Sequence, residues 1–421
     1  MKFLRNLMDK QAPLFKKGGK LEFFYPLFEA IDTFNFTPGK VTSGAPHVRD
    51  AIDLKRLMFT VVIALVPCMF VGVWNVGYQA NAALAAGMTP EGWRGALIGA
   101  LGIGFNPNNL FACLVHGALY FIPVLVVAFT VGGGIEVFVA MIKKHEVNEG
   151  FFVTGFLIPC ILPPTIPLWQ VALATAFGVV IGKEIFGGTG MNIFNPALVT
   201  RVFLYFAYPA QNSGDKVWVA VSPEQAMDGF SGATLLARVA EANPETAENA
   251  YAVAINGLVV NGKPVTWMDA FLGWIPGSMG ETSTLACLIG AALLIITGVA
   301  SWRVMVAMIG GCLAMTLLLN FADSKTNEMM NLPFQWHFVV GAFAFGMVFM
   351  ATEPVTGAYT QSGKFVYGAG IGIMTALIRT VNPAFPEGVM LAILFMNILA
   401  PLIDYVVVAR NINRRVARSA V

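Results

Sequence analysis

Thr234 closes the string Asp228-Gly229-Phe230-Ser231-Gly232-Ala233-Thr234, and its residue type and neighbours suit a covalent attachment. A hydroxyl flanked by Gly232 and Ala233 is sterically open. The stretch 235–242 that follows reads as helix, and the backbone N–H groups at a helix start favour a phosphate. The combination fits a phosphoester. Read plainly, the same residues are a turn at Asp228-Gly229, an N-cap at Ser231 and a polar first-turn residue at Thr234. Residue types alone leave both readings open.

A second group of candidates is ionisable residues within or beside apolar runs: Glu136, Glu184, Glu353 and Asp404. A carboxylate at membrane depth is costly unless it is paired or faces a cavity, so Glu136, Glu353 and Asp404 are candidates for a cation path. Glu184, beside Lys183, reads as an interfacial acid at a helix end. Backbone carbonyls at helix breaks serve a hard cation equally well. Gly132, Gly133 and Gly134 precede Glu136; such a run admits a flat ligand or a close-packed helix. His116 and His337 lack partners at ligand spacing, and the five cysteines are isolated in apolar stretches without C-x-x-C spacing. No metal site is expected; these residues read as packing.

The elements that must position these groups are membrane helices. The chain is 57% hydrophobic and 12% charged over 421 residues, against about 25% charged in soluble domains. Apolar runs at about 57–79, 110–142, 150–163, 168–182, 196–208, 284–299, 303–321, 335–352, 366–380 and 388–409 give about ten spans. Backbone groups in lipid must be satisfied locally, so the fold class is an all-α integral membrane protein. Several runs are short or interrupted, as at Pro159 and Pro163-Pro164, which predicts broken or re-entrant helices. Lys and Arg crowd the N-terminal arm, the turns near 143–144, 183, 303 and 364, and the tail, which predicts both termini in the cytoplasm. The connection 209–283 then lies outside. The expected organisation is an arm (1–56, basic and aromatic), two five-helix halves (57–208 and 284–409) around that loop, and a basic tail (410–421). Because the second half begins on the opposite side, the halves are expected to be inverted repeats. Asn195-Pro196-Ala197 and Asn382-Pro383-Ala384, with Gly155 and Gly341 upstream, are a faint trace of one. The net charge of +2 carries no nucleic-acid signature.

The Asp228–Thr234 string resembles the target of the extracytoplasmic flavin transferase, which attaches FMN through its phosphate to the final Thr. With the spans, the basic arm and Gly132-Gly133-Gly134-Ile135-Glu136, the whole chain resembles the B-subunit family of bacterial sodium-translocating NADH:quinone oxidoreductases. The D subunit of the Rnf complex is homologous. The resemblance implies an inner-membrane subunit of a multi-subunit complex, matured by the flavin transferase and surrounded by lipid. It implies covalent FMN on Thr234, noncovalent riboflavin, ubiquinone as substrate and Na+ as transported ion, with Gly132, Gly133, Gly134 and Glu136 near the quinone. Asp228, Gly229, Ser231, Gly232 and Ala233 would form the transferase recognition motif. NADH oxidation is expected on a partner, since no dinucleotide fold is visible.

Three other readings compete. An Rnf-type subunit would share the flavin motif, but the long aromatic arm here, which in the family lies against a cytoplasmic subunit, favours the quinone reductase. A solute channel or transporter of inverted-repeat fold leaves the flavin string idle, and a redox scaffold predicts no flavin. The arm carries Leu21, Phe23, Phe24, Tyr25, Phe28, Phe34 and Phe36 among Lys16, Lys17 and Lys20, so it is expected on a membrane surface or a partner.

Overall fold

The computed structural model describes residues 2–16, 18–36, 54–90, 92–144, 150–221, 232–242, 249–260, 263–322, 324–383 and 385–419. Six of its helices are long and apolar enough to cross a bilayer: Arg56–Ala85, Leu110–Lys143, Leu168–Phe186, Trp302–Phe321, Gln361–Val381 and Val389–Ser419. Gly150–Ile161, Pro196–Ala207 and Thr284–Ile296 are shorter apolar helices. Large apolar side chains such as Phe70, Phe111, Ile122 and Phe321 remain on the surface, as lipid-facing helices require. The chain is an α-helical membrane protein.

Each apolar run read from the sequence is helical, with one difference in kind. The run at 335–352 is broken: Phe334–Val339 ends, Gly341 and Ala342 both take positive φ, and helix resumes at Phe343. A break exposes carbonyls that lipid cannot satisfy. Arg379, fully buried, satisfies them: Nη1 donates to His337 O (2.8 Å), and Nη2 donates to Val340 O (2.9 Å) and Gly341 O (3.1 Å). The short Gly150–Ile161 helix has a different solution. Gly280 N donates to Cys160 O (2.8 Å) and Met279 N to Leu162 O (3.1 Å), so a strand of loop covers its C-terminal carbonyls. The tail is not separate from the last span, because helix runs without interruption from Val389 to Ser419.

Helix starts follow their caps. Asn195 Oδ1 accepts from Ala197 N (3.0 Å) and Leu198 N (3.2 Å) with Pro196 in the first turn. Asn382 does something else: it follows the end of Gln361–Val381, several residues before Val389. Gly155 sits inside a helix, whereas Gly341 forms the break. The two Asn-Pro tripeptides and their upstream glycines are therefore not equivalent positions, and they carry no argument for a repeat.

The 209–283 connection contributes short helices and a hairpin pairing Val259–Val260 with Lys263–Pro264. Leu235, Leu236, Val239 and Ile255 pack there with Met329, Leu332 and Val339, so this loop rests on the Glu328–Asn331 and Phe334–Val339 helices. In the N-terminal arm, Lys2–Phe15 and Tyr25–Asn35 are tied by Arg5 to Asp32 (3.0 Å), and Tyr25–Asn35 lies against the Gly134–Lys143 segment. The arm thus docks at least partly on its own chain.

Candidate functional site

Thr234 is the N-cap of Leu235–Ala240, its Oγ1 accepting from Ala237 N at 3.3 Å. The cap is thus three residues later than the Ser231 reading, and the helix ends two residues before 242. Asp228, Gly229, Phe230 and Ser231 lie outside the described residues. Gly232 donates from its N–H to Asp215 O (3.0 Å), and a Cβ there would stand 2.8 Å from that oxygen, so the approach requires glycine. Ala233 is buried and Thr234 half-buried.

The Thr234 hydroxyl donates to Glu387 Oε1 (3.4 Å), and both residues line a cavity of about 440 Å³, open mouth included. Arg201, Ser278, Glu281 and Thr282 complete its polar lining. Arg201 Nη1 donates to Glu281 Oε2 at 2.7 Å, with side chains 5% and 6% exposed. A second lobe of about 260 Å³ shares Arg201, Glu281 and Glu387 and reaches Gly346 and Met350 beside the broken helix. Sequence reasoning weighs the acids and misses Arg201 and Arg379. A basic residue inside an apolar run is the available signal, since burial of a cation demands a partner.

At the N-terminal end of Pro196–Ala207, a larger cavity of about 750 Å³, mouth included, is lined by Asn195, Asn192, Lys183, Thr154 and Glu353 against Leu157 and Val348. Glu353 accepts from Thr356 Oγ1 (3.1 Å) and Asn192 Nδ2 (3.4 Å). Lys183 Nζ donates to Glu136 Oε1, and the pair is 4% and 5% exposed. Lys183 therefore joins the glycine-run helix to the cavity, while its sequence neighbour Glu184 meets Lys143 Nζ at 3.6 Å.

The glycine run adopts a π-helical turn over Phe129–Gly133 within the Leu110–Lys143 helix. Its members differ. A Cβ on Gly132 would fall 2.2 Å from Phe151 Cζ, whereas one on Gly134 would meet nothing within 4 Å. Gly132 is thus a packing position, and Gly134 faces open space. Asp404 lines neither cavity and accepts from Tyr359 N (2.7 Å), Thr360 N (3.0 Å) and Thr360 Oγ1 (2.6 Å) at the start of Gln361–Val381. His116 Nδ1 meets Asn81 Oδ1 (2.8 Å), His337 Nδ1 meets Arg379 Nη1 (3.1 Å), and all five cysteines are buried and free. Packing accounts for each of them.

Contacts sort the connections into two ends. Lys143, Lys183, Glu184, Asn192 and Glu353 meet at one. Thr234, Arg201, Glu281, Glu387 and the Glu328–Asn331 helix gather at the other, where Asn327 Nδ2 also donates to Thr380 O (2.7 Å).

Residues 41–413 match the family described as NQR2, RnfD, RnfE. Among similar full-length proteins, the B-subunit of the Na(+)-translocating NADH-quinone reductase of Ectopseudomonas mendocina is 56% identical over 420 residues, covering 99% of each chain. Its counterpart in Pseudomonas paraeruginosa is 54% identical over 420 residues and that in Azotobacter vinelandii 53% over 422, each again covering 99% of both chains.

Proposed function

Because the chain belongs to the NQR2, RnfD, RnfE family, we propose that it holds an FMN esterified through its phosphate to Thr234, within a complex that couples electron transfer to Na+ transport. It serves as a membrane subunit of a Na+-translocating NADH-quinone reductase, with NADH oxidised on another subunit. Full-length identity of 53–56% with proteins of that name favours this over an Rnf-type role. A solute channel leaves the flavin string without a purpose.

The observation that carries the covalent reading is the Thr234 hydroxyl in a polar cavity whose buried Arg201 Nε and Thr282 Oγ1 have no hydrogen-bond partner. Such groups cost free energy until an acceptor arrives. The residues present therefore fit a phosphate-bearing group. When bound, FMN would supply one- and two-electron chemistry. The protein's part is to hold Thr234 at a rigid cap, exclude water with Leu235 and Leu236, and place the flavin near the broken helix.

The larger cavity beside Glu353 and Lys183 is the proposed riboflavin site, because it combines apolar walls with a few polar groups that fix orientation. Lys183, Asn192 and Thr154 would orient the flavin there. For the cation path, Glu353 on this cavity is the preferred carboxylate. Glu136 already faces an ammonium, and the Asp404 oxygens are committed to a helix start. Gly133 and Gly134 remain the open part of the proposed quinone surface, with Glu136 behind them.

The two-ended sorting of connections supports ten crossings, with arm, tail and Lys183 on the cytoplasmic side of the bacterial inner membrane and the 209–283 loop outside. Each half contains a short or broken third segment, Gly150–Ile161 and 334–350, in keeping with inverted repeats. In-gel flavin fluorescence of protein made with and without the transferase tests the covalent reading. A band that requires the transferase and disappears in Thr234→Ala is expected; fluorescence that persists in Thr234→Ala contradicts the assignment.

A further inference from the structure

The geometry points to a dedicated phosphate subsite: the Nε–Nη2 edge of Arg201, assisted by the Thr282 hydroxyl, binds the phosphodiester formed at Thr234, and Glu281 is the residue that aims this edge. The inference rests on the covalent-flavin reading and deepens it.

Arg201 is 4% exposed and lines the same cavity as Thr234. Its guanidinium is used unevenly. Nη1 makes a 2.7 Å bond to Glu281 Oε2, Nη2 a long 3.4 Å contact to Ser278 Oγ, and Nε has no partner. A guanidinium presents donors in a planar fork, so anchoring one nitrogen on a carboxylate leaves an adjacent edge oriented for two oxygens of an anion. Thr282, 5% exposed, has its Oγ1 unpartnered on the same cavity. Two orphaned buried groups lining one cavity call for a ligand rich in acceptor oxygens.

Charge makes the same demand. The ionisable residues lining this cavity are Arg201, Glu281 and Glu387. A phosphodiester on Thr234 adds another negative charge, and esterification removes the hydroxyl proton that Thr234 shares with Glu387 at 3.4 Å. Glu387 then loses a donor and gains an anionic neighbour. Arg201 is the cation on this lining able to compensate. Keeping Nη1 on Glu281 while the other edge takes the phosphate satisfies both anions with one guanidinium.

The test uses the full-length protein in detergent, prepared with and without transferase, in four forms: wild type, Arg201→Lys, the paired Arg201→Gln/Glu281→Gln, and Glu387→Gln. The paired substitution avoids stranding Glu281 as a buried charge. Peptide mass first establishes attachment at Thr234. The readouts are then the phosphorus-31 resonance of the phosphodiester and the change in thermal midpoint on flavinylation. In the paired variant the resonance should move, and the stabilisation gained on flavinylation should fall by about tenfold in the unfolding equilibrium or more. Arg201→Lys, which keeps charge without the fork, should fall between. Glu387→Gln should increase the stabilisation, and this arm decides alone if the paired variant does not fold. An unchanged resonance and equal stabilisation in a flavinylated paired variant would overturn the subsite, as would indifference to Glu387→Gln. A wild-type Thr234 found unmodified rejects the covalent-flavin reading itself, which is a distinguishable result.

Discussion

Glu136→Gln should destabilise the protein far more than its position beside a glycine run implies, because it strands Lys183. Both side chains are about one-twentieth exposed, and the ammonium donates directly to the carboxylate. Removing one partner of a buried pair costs about 3–5 kcal/mol, whereas replacing both by neutral groups of similar size is often near neutral. Lys183 has one route of relief, since it also lines the cavity that holds Glu353, and reorientation toward that acid would lower the cost. We expect Glu136→Gln and Lys183→Met each to lower the midpoint strongly, and Glu136→Gln/Lys183→Met to recover most of the loss. The cycle should give a coupling of about 2 kcal/mol or more, well above the roughly 0.5 kcal/mol scatter of independent sites. The buried free cysteines supply the assay, because a thiol-reactive fluorophore reports their exposure on thermal unfolding. Strictly additive single substitutions would refute the pairing and with it the view that Lys183 links the glycine-run helix to the cavity.

Other outcomes separate residues that look alike in sequence. Gly132→Ala must displace Phe151 and should cost about 1–3 kcal/mol, while Gly134→Ala enters open space and should be neutral or slightly stabilising by thermal midpoint. Asp404→Asn should weaken a helix start by about 1 kcal/mol and leave the Na+ dependence of turnover unchanged, whereas Glu353→Gln should raise the Na+ concentration for half-maximal turnover. Labelling in intact cells by an impermeant thiol reagent should reach Ser213→Cys and spare Ser419→Cys; the opposite pattern would invert the topology.

The helices were legible because hydrophobic runs are local. Every apolar run became helix, broken only in the 335–352 run, and Asn195-Pro196 marks a start by hydrogen bonds that span only two or three residues. The break at Gly341–Ala342 was not, since its stability comes from Arg379 in another helix. Pairings across long separations were equally hidden. Lys183 stands next to Glu184 in sequence, yet bonds Glu136 on a different helix. The Asn-Pro similarity misled for the complementary reason: a tripeptide that caps a helix at Asn195 merely follows one at Asn382. Thr234 is singled out by its string alone, whereas the cavity beside it draws on Arg201, Glu281 and Glu387, which no local pattern joins.

Peptide mapping by mass spectrometry of protein purified from its native membrane tests covalent flavinylation most directly. The peptide containing Thr234 should carry the mass of FMN less water, with fragment ions placing it on Thr234 and no adduct on that peptide after Thr234→Ala. An unmodified Thr234 peptide recovered quantitatively from active, fully assembled complex would contradict the assignment.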